Sequence, residues 1–361
     1  MTAISRHNNF NLLRLIAAFL VVVSHSYGIL DKALLQPMLQ MQEGQLIPSD
    51  LGLYIFFTIS GYLVYKSLVA SPSYLHYLWR RFIRIVPGLA VVNLACIILG
   101  LLVTILPASQ YLASGETWQY LIINTSLIAN HYHLPGVFTT LENKSINASL
   151  WTILLEVKFY IALLLGQMIG ITKNRWLILI CFVAMQICRL YFSIYKASIP
   201  SMLPDVYFTF GSYFFMGVLY AYFPQLLNVK WFLPLTLLTV ALFLNTPFNN
   251  ILISLSLPYF ILKAGQSKPL LGLHKADYSY GLYLYAFPVQ QMVLLTMGKE
   301  IPVIVHIVIS TAIALMFASL SWHNIEKPAL QKKDALPALI KRRSSIHPDE
   351  SPAAQTQNQT V

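Results

Sequence analysis

Apolar runs of bilayer-spanning length follow one another along most of this chain, separated by short basic clusters. A helix needs about 20 such residues to cross the hydrocarbon core. The runs fall near 11–30, 51–69, 86–106, 149–170, 176–195, 205–223, 231–246, 250–264, 278–297 and 302–322. The seventh and eighth are short. The expected fold is an all-α integral membrane bundle of about ten transmembrane helices, with a membrane domain over 1–330 and a polar cytoplasmic tail over 331–361 that reads as disordered. Composition agrees: of 361 residues 57% are hydrophobic and 10% charged, against about 25% charged in a soluble domain.

Charge placement sets the expected orientation. The net charge of +11 does not imply nucleic acid, because the basic residues cluster between apolar runs as the positive-inside rule requires. With the N-terminus in the cytoplasm, the inner segments take Arg6, Arg14, Lys66, Arg80, Arg81, Arg84 and most of the remaining lysines and arginines. The outer loops take only Lys32, Lys144, Lys196 and Lys299. An even number of spans then puts both termini in the cytoplasm. The first run is long and holds Arg14 and His25, which argues against a cleavable signal peptide. Cys96, Cys181 and Cys188 lie within apolar runs and in no metal-ligand spacing. The sequence holds no P-loop, GxGxxG or HExxH motif, and no metal is expected.

Ionisable residues within spans are costly and point to function. Arg14 and His25 are eleven residues apart on the first span, on nearly one helix face and roughly 16 Å apart along it. His25 sits in a polar cluster, Ser24 to Tyr27. Glu156 follows Ser149 by seven residues, roughly 10 Å. If Ser149 marks the outer boundary, Glu156 reaches the depth of His25 and could orient the imidazole. Arg80, Arg81 and Arg84, expected in the inner loop between the second and third spans, suit phosphate oxygens or lipid headgroups equally. Asp205, Asp277, His306 and His323 read as interfacial caps, and Arg189 as a residue that snorkels. The outer loop 107–148 is long enough to be functional. A polytopic transporter or flippase for a glycan precursor is the rival class, its charges lining a pathway.

Four pieces, in order, resemble the acyltransferase-3 family of membrane acyltransferases: Arg14 and His25; FFTISGYLV at 56–64 with Arg81, Arg84 and Pro87; SLWTILLEVKFY at 149–160 with Trp151, Glu156 and Tyr160; and YSYGLYLYAFPV at 278–289 with WHNIEKP at 322–328. The resemblance covers about residues 8–330. It implies transfer of an acetyl group from cytoplasmic acetyl-CoA to a hydroxyl of an extracytoplasmic glycan or glycolipid, such as exopolysaccharide or lipopolysaccharide O-antigen. The location it implies is the bacterial cytoplasmic (inner) membrane. Arg81 and Arg84, with Arg80, would then bind the donor phosphates, and Arg14 would guide the donor. His25 would act as general base or as an acyl carrier, Glu156 would orient it, and Trp151 and Tyr160 would support the site.

Overall fold

A computed structural model describes residues 8–37, 46–195, 203–243, 246, 248–270 and 276–335. Among these residues every regular element is helical. The long helices are α1 (Phe10–Ile29), α2 (Pro48–Val69), α3 (Tyr74–Val103), α6 (Leu150–Met168), α7 (Arg175–Tyr195), α8 (Leu203–Tyr222), α10 (Asn249–Gln266), α11 (Ser279–Met297) and α12 (Val303–Ser321). Shorter ones are α4 (Ala108–Ala113), α5 (Gly115–Ser126), α9 (Phe232–Phe243) and α13 (Lys327–Gln331), the last reached from α12 through a π-helical turn, Trp322–Glu326. Each predicted span has its helix. Six are long and apolar enough to cross a membrane: α1, α2, α3, α6, α7 and the α12–α13 stretch. Arg6, Lys196, Lys275 and the tail from 336 lie outside the described residues.

The third helix departs from expectation. It begins at Tyr74, capped by the Ser73 hydroxyl, which accepts from the His76 amide at 3.2 Å. Arg80, Arg81 and Arg84 therefore project from the first turns of α3, not from a loop. The end of the bundle that carries them is the basic end; the opposite one is the loop end.

The bundle is assembled around α2. Two glycines let α2 and α8 touch backbone to backbone: a Cβ on Gly61 would strike the Phe214 carbonyl, and one on Gly217 the Thr58 carbonyl. Rings interleave around this crossing, with Tyr54 stacked on Tyr213 at 3.9 Å and Phe57 on Phe210 at 5.2 Å. On the other side α2 packs on α1, where Gly52 meets Ala17 and Val21, and α1 packs on α11 and α12.

The segment from 104 to 149 does not stay at the surface. Tyr111 and Tyr120 are buried, and the Tyr111 hydroxyl donates to the Ile97 carbonyl at 3.0 Å. The segment before α6 then dips into the bundle. Ile146 and Asn147 are fully buried, and the Asn147 amide donates to the carbonyl of Leu284, well inside α11, at 2.9 Å. Buried backbone groups need partners, and this side chain supplies one.

Candidate active site

Helices α1, α2, α3, α6 and α11 enclose a cavity of about 80 Å³ at the basic end. Arg14, Arg81 and Arg84 line it, with Glu156, Tyr160, Thr152, Ser279, Tyr280, Tyr283 and the apolar Leu53, Phe56, Phe57, Ile85 and Ile153. Thr152, Glu156 and Tyr160 recur every four residues, so one face of α6 supplies them.

The three arginines are not equivalent. Arg84 donates to Asp277 at 2.5 Å, and Arg14 lies 3.6 Å from the same carboxylate oxygen. The Asp277 side chain is only 6% exposed, so this pairing is barely screened. The other Asp277 oxygen accepts from the Ser279 amide at 3.3 Å and from the Ser279 hydroxyl, at the start of α11. Burial pushes the Asp277 carboxyl up, but Arg84, Arg14 and Ser279 outweigh it and hold it below the usual carboxylate range. Expected as an interfacial cap, Asp277 is instead the buried counter-ion of two predicted donor-binding residues.

Arg81 makes no ion pair among the described residues. It donates to the Ser67 hydroxyl at 3.2 Å and lies 5.7 Å from the Tyr160 ring and 6.0 Å from the Tyr77 ring. Its Nε is buried without a partner. Arg80 does not line the cavity; it pairs with Asp334, beyond α13, at 2.7 Å.

Glu156 accepts from the Ser60 and Tyr160 hydroxyls, both at 2.5 Å. Toward the loop end, Thr152 and the Tyr283 hydroxyl share a hydrogen bond at 2.5 Å.

His25 stands apart from this cavity. Its ring meets the edge of Phe287 at 5.3 Å, one turn of α11 beyond the cavity-lining Tyr283. Its Nδ1 is buried without a partner. The expected hydrogen bond to Glu156 is not formed, and the reason is depth. Ser60 lies twelve residues, about 18 Å, from the start of α2, while Glu156 lies only about 10 Å from Ser149. Helix α6 therefore starts about 8 Å deeper than α2, because the segment before it re-enters the bundle. Glu156 ends at the depth of Arg14, on the order of 16 Å from His25. Lys158, two residues on, is exposed and donates to the Tyr207 hydroxyl of α8 at 2.6 Å.

Other candidates also move. Trp151 packs on Phe210 at 5.8 Å and is not in the cavity wall. Arg189 does not snorkel: it is 2% exposed and donates to the Asn250 carbonyl at 2.7 Å. His306 is fully buried. Reading the sequence missed Ser60, which lies within the motif at 56–64, and the pairing of Asp277, whose partners are far from it in sequence. It also missed Glu326, buried in the π-helical turn and bonded by the Ser321 hydroxyl at 3.0 Å. Among the described residues no group of three or more His, Cys, Asp or Glu could hold a metal ion.

The arrangement offers a cavity with arginines at the basic end and polar and aromatic walls, and an imidazole beyond its lining. The chain is 28% identical over 344 residues to an O-acetyl transferase of Shigella phage Sf6, covering 91% of this chain and 97% of that protein. It is 29% identical over 373 residues to Nodulation protein 10 of Rhizobium leguminosarum bv. viciae, covering 94% and 96%. No solved structure matches. The family model described as an acyltransferase domain matches residues 7–323, a span that takes in all five helices of the cavity as well as His25, and the chain belongs to the acyltransferase-3 family of membrane acyltransferases.

Proposed function

We propose that this O-acyltransferase moves an acetyl group from cytoplasmic acetyl-CoA to a hydroxyl of an extracytoplasmic glycan, such as exopolysaccharide or lipopolysaccharide O-antigen. The observation that carries the reading is the asymmetry among the arginines. Arg81 faces the cavity with a buried, unpartnered donor and no carboxylate, while Arg14 and Arg84 share Asp277. A guanidinium in that state is suited to a phosphate oxygen. In this reading Arg81 is the principal phosphate ligand. Arg84 and Arg14 form the rim, and Arg80 contributes long-range charge at the mouth.

The donor's thioester arm runs from Arg81 past Tyr160, Glu156, Thr152 and Tyr283 toward His25, over roughly the 16 Å that separate Arg14 from His25. His25 takes the proton of the acceptor hydroxyl as that oxygen attacks the thioester carbonyl. The carbon–sulfur bond breaks, and the imidazolium returns the proton to the leaving thiolate. Transfer through an acetyl-imidazole uses the same placement: the ring nitrogen attacks the thioester carbonyl and expels the thiolate, and the acceptor hydroxyl then attacks the acetyl carbon, freeing the imidazole and giving its proton to the thiolate. Glu156 acts along the donor path, fixing Ser60 and Tyr160, and does not orient His25. Trp151 supports the wall through Phe210.

The proposed setting is the bacterial cytoplasmic membrane, crossed ten times with both termini in the cytoplasm. The basic end then faces acetyl-CoA and the loop end faces the glycan. The test is acetyl transfer from radiolabelled acetyl-CoA by membranes carrying His25→Ala. Transfer is expected to disappear while the protein stays in the membrane; full transfer would remove His25 from the mechanism.

A further inference from the structure

Three fully buried polar side chains meet at the turn of α1 that carries His25. They are Ser26 on α1, Gln290 on α11 and His306 in the first turn of α12. The Gln290 amide nitrogen donates to the Ser26 hydroxyl at 2.7 Å and to the Val22 carbonyl at 2.8 Å. His306 Nδ1 lies 3.0 Å from the Ser26 hydroxyl, and its Nε2 lies 3.1 Å from the Gln290 backbone carbonyl. None of the three lines the donor cavity.

A carbonyl can only accept, so His306 Nε2 carries a hydrogen toward the Gln290 backbone carbonyl, and Nδ1 shares a hydrogen bond with the Ser26 hydroxyl, which also lies 3.0 Å from the Val22 carbonyl. The two hydrogens of the Gln290 amide go to Ser26 and Val22. This fixes the Gln290 orientation too, because a flipped amide would turn its oxygen against the Val22 carbonyl. His306 thus ties α1 to α11 and α12 at one level, and Ser26 is the hub.

We propose that Ser26, Gln290 and His306 are positioning residues that lock the rotation of α1 about its axis and so fix the imidazole of His25; the proposal rests on the assignment of His25 to the transfer step. A side-chain tip lies about 5–6 Å from a helix axis, so a rotation of roughly 10° displaces it by roughly 1 Å. A misplacement of that size costs on the order of a hundredfold in rate. Small residues bring α1 close to α2 on its other side. There the Ala17 carbonyl and the Val21 side chain lie against Gly52, and the Ser24 hydroxyl reaches Ser49 at 3.2 Å. The bonds at Val22 and Ser26 fix the helix on the side that faces α11 and α12. The lock sits roughly 16 Å from Arg14, so it acts on His25 without touching the donor's phosphates.

The test compares Ser26→Ala, which removes one oxygen, with His306→Ala and the double variant, each as purified full-length protein. Expected is a kcat ten- to a hundredfold lower at an unchanged KM for acetyl-CoA. The double variant should be no worse than the poorer single variant, because both release the same lock. A second readout needs no activity: the rate at which diethyl pyrocarbonate modifies His25, read by peptide mass spectrometry, should change severalfold in Ser26→Ala. An unchanged kcat per folded molecule, or kcat and KM declining together with the melting temperature, would overturn the lock in favour of simple helix packing. His25→Ala in the same assay separates the two claims. Activity in that variant defeats the role of His25. Its inactivity beside an unimpaired Ser26→Ala defeats only the lock.

Discussion

Replacing Arg81 and Arg84 one at a time should produce two different failures. Arg84→Ala strands Asp277, a carboxylate whose side chain is 6% exposed, with only Arg14 at 3.6 Å. Breaking a buried pair by removing one partner costs about 3–5 kcal/mol. The Arg84 side chain is 21% exposed, so partial screening lowers the expectation to about 2–4 kcal/mol. Arg81→Ala loses one neutral-acceptor bond, to Ser67, and two ring contacts, about 1 kcal/mol. Its effect should fall on the donor: a lost charge-assisted bond to phosphate is worth about 1.5–3 kcal/mol, a ten- to hundredfold rise in KM for acetyl-CoA. The assay is a thermal melt of the detergent-purified variants beside initial rates at varied acetyl-CoA. Arg84→Ala should melt several degrees below Arg81→Ala, and Arg84→Ala combined with Asp277→Ala should recover part of the loss. Equal melting temperatures with equal rises in KM would refute the division of labour among the arginines.

Further outcomes follow from the same geometry. The Asp277 carboxyl is held below the usual range, so its contribution is complete above the unfolded value near 4. It should not vary between pH 5 and 8, and should fade only as the pH falls through the lower folded value; a melting-temperature difference between the parent and Asp277→Asn that declines from pH 8 to pH 5 would contradict this. Gly61→Ala drives a methyl into the Phe214 carbonyl and should cost about 1–3 kcal/mol or more, whereas Gly28→Ala, with nothing within 4 Å, should melt like the parent. Glu156→Gln should raise the KM for acetyl-CoA yet keep measurable turnover at saturating donor, because Glu156 lies at the depth of Arg14; a variant as inactive as His25→Ala with normal donor binding would return Glu156 to the side of His25.

Much of this architecture is legible in the chain. Hydropathy marks helices α1, α2, α7, α11 and α12 to within a few residues, because apolar length sets their extent. It misplaces the start of α3, where Ser73 caps the helix and the basic turns that follow are helical but not apolar. It also misplaces the depth of α6. Ser149 looks like a membrane boundary in sequence, but the Asn147 bond to Leu284 pulls the preceding segment into the bundle, and no local pattern encodes a bond between residues so far apart. The pairing of Asp277 with Arg84 and Arg14 is hidden for the same reason. His306 shows the limit most clearly. A histidine at the start of an apolar run reads as an interfacial cap, and only the packing of α1 and α11 against it reveals a buried crosspiece.

The most direct test of acetyl transfer to a surface glycan is the mass of the cell-envelope glycan from cells with and without this protein. The account predicts intact glycan whose repeating units each lack the mass of one acetyl group when the protein is absent, restored by the parent chain but not by His25→Ala. Glycan of unchanged acetyl content, or the loss of whole glycan chains with acetylation intact on those that remain, would contradict it and favour a transport role.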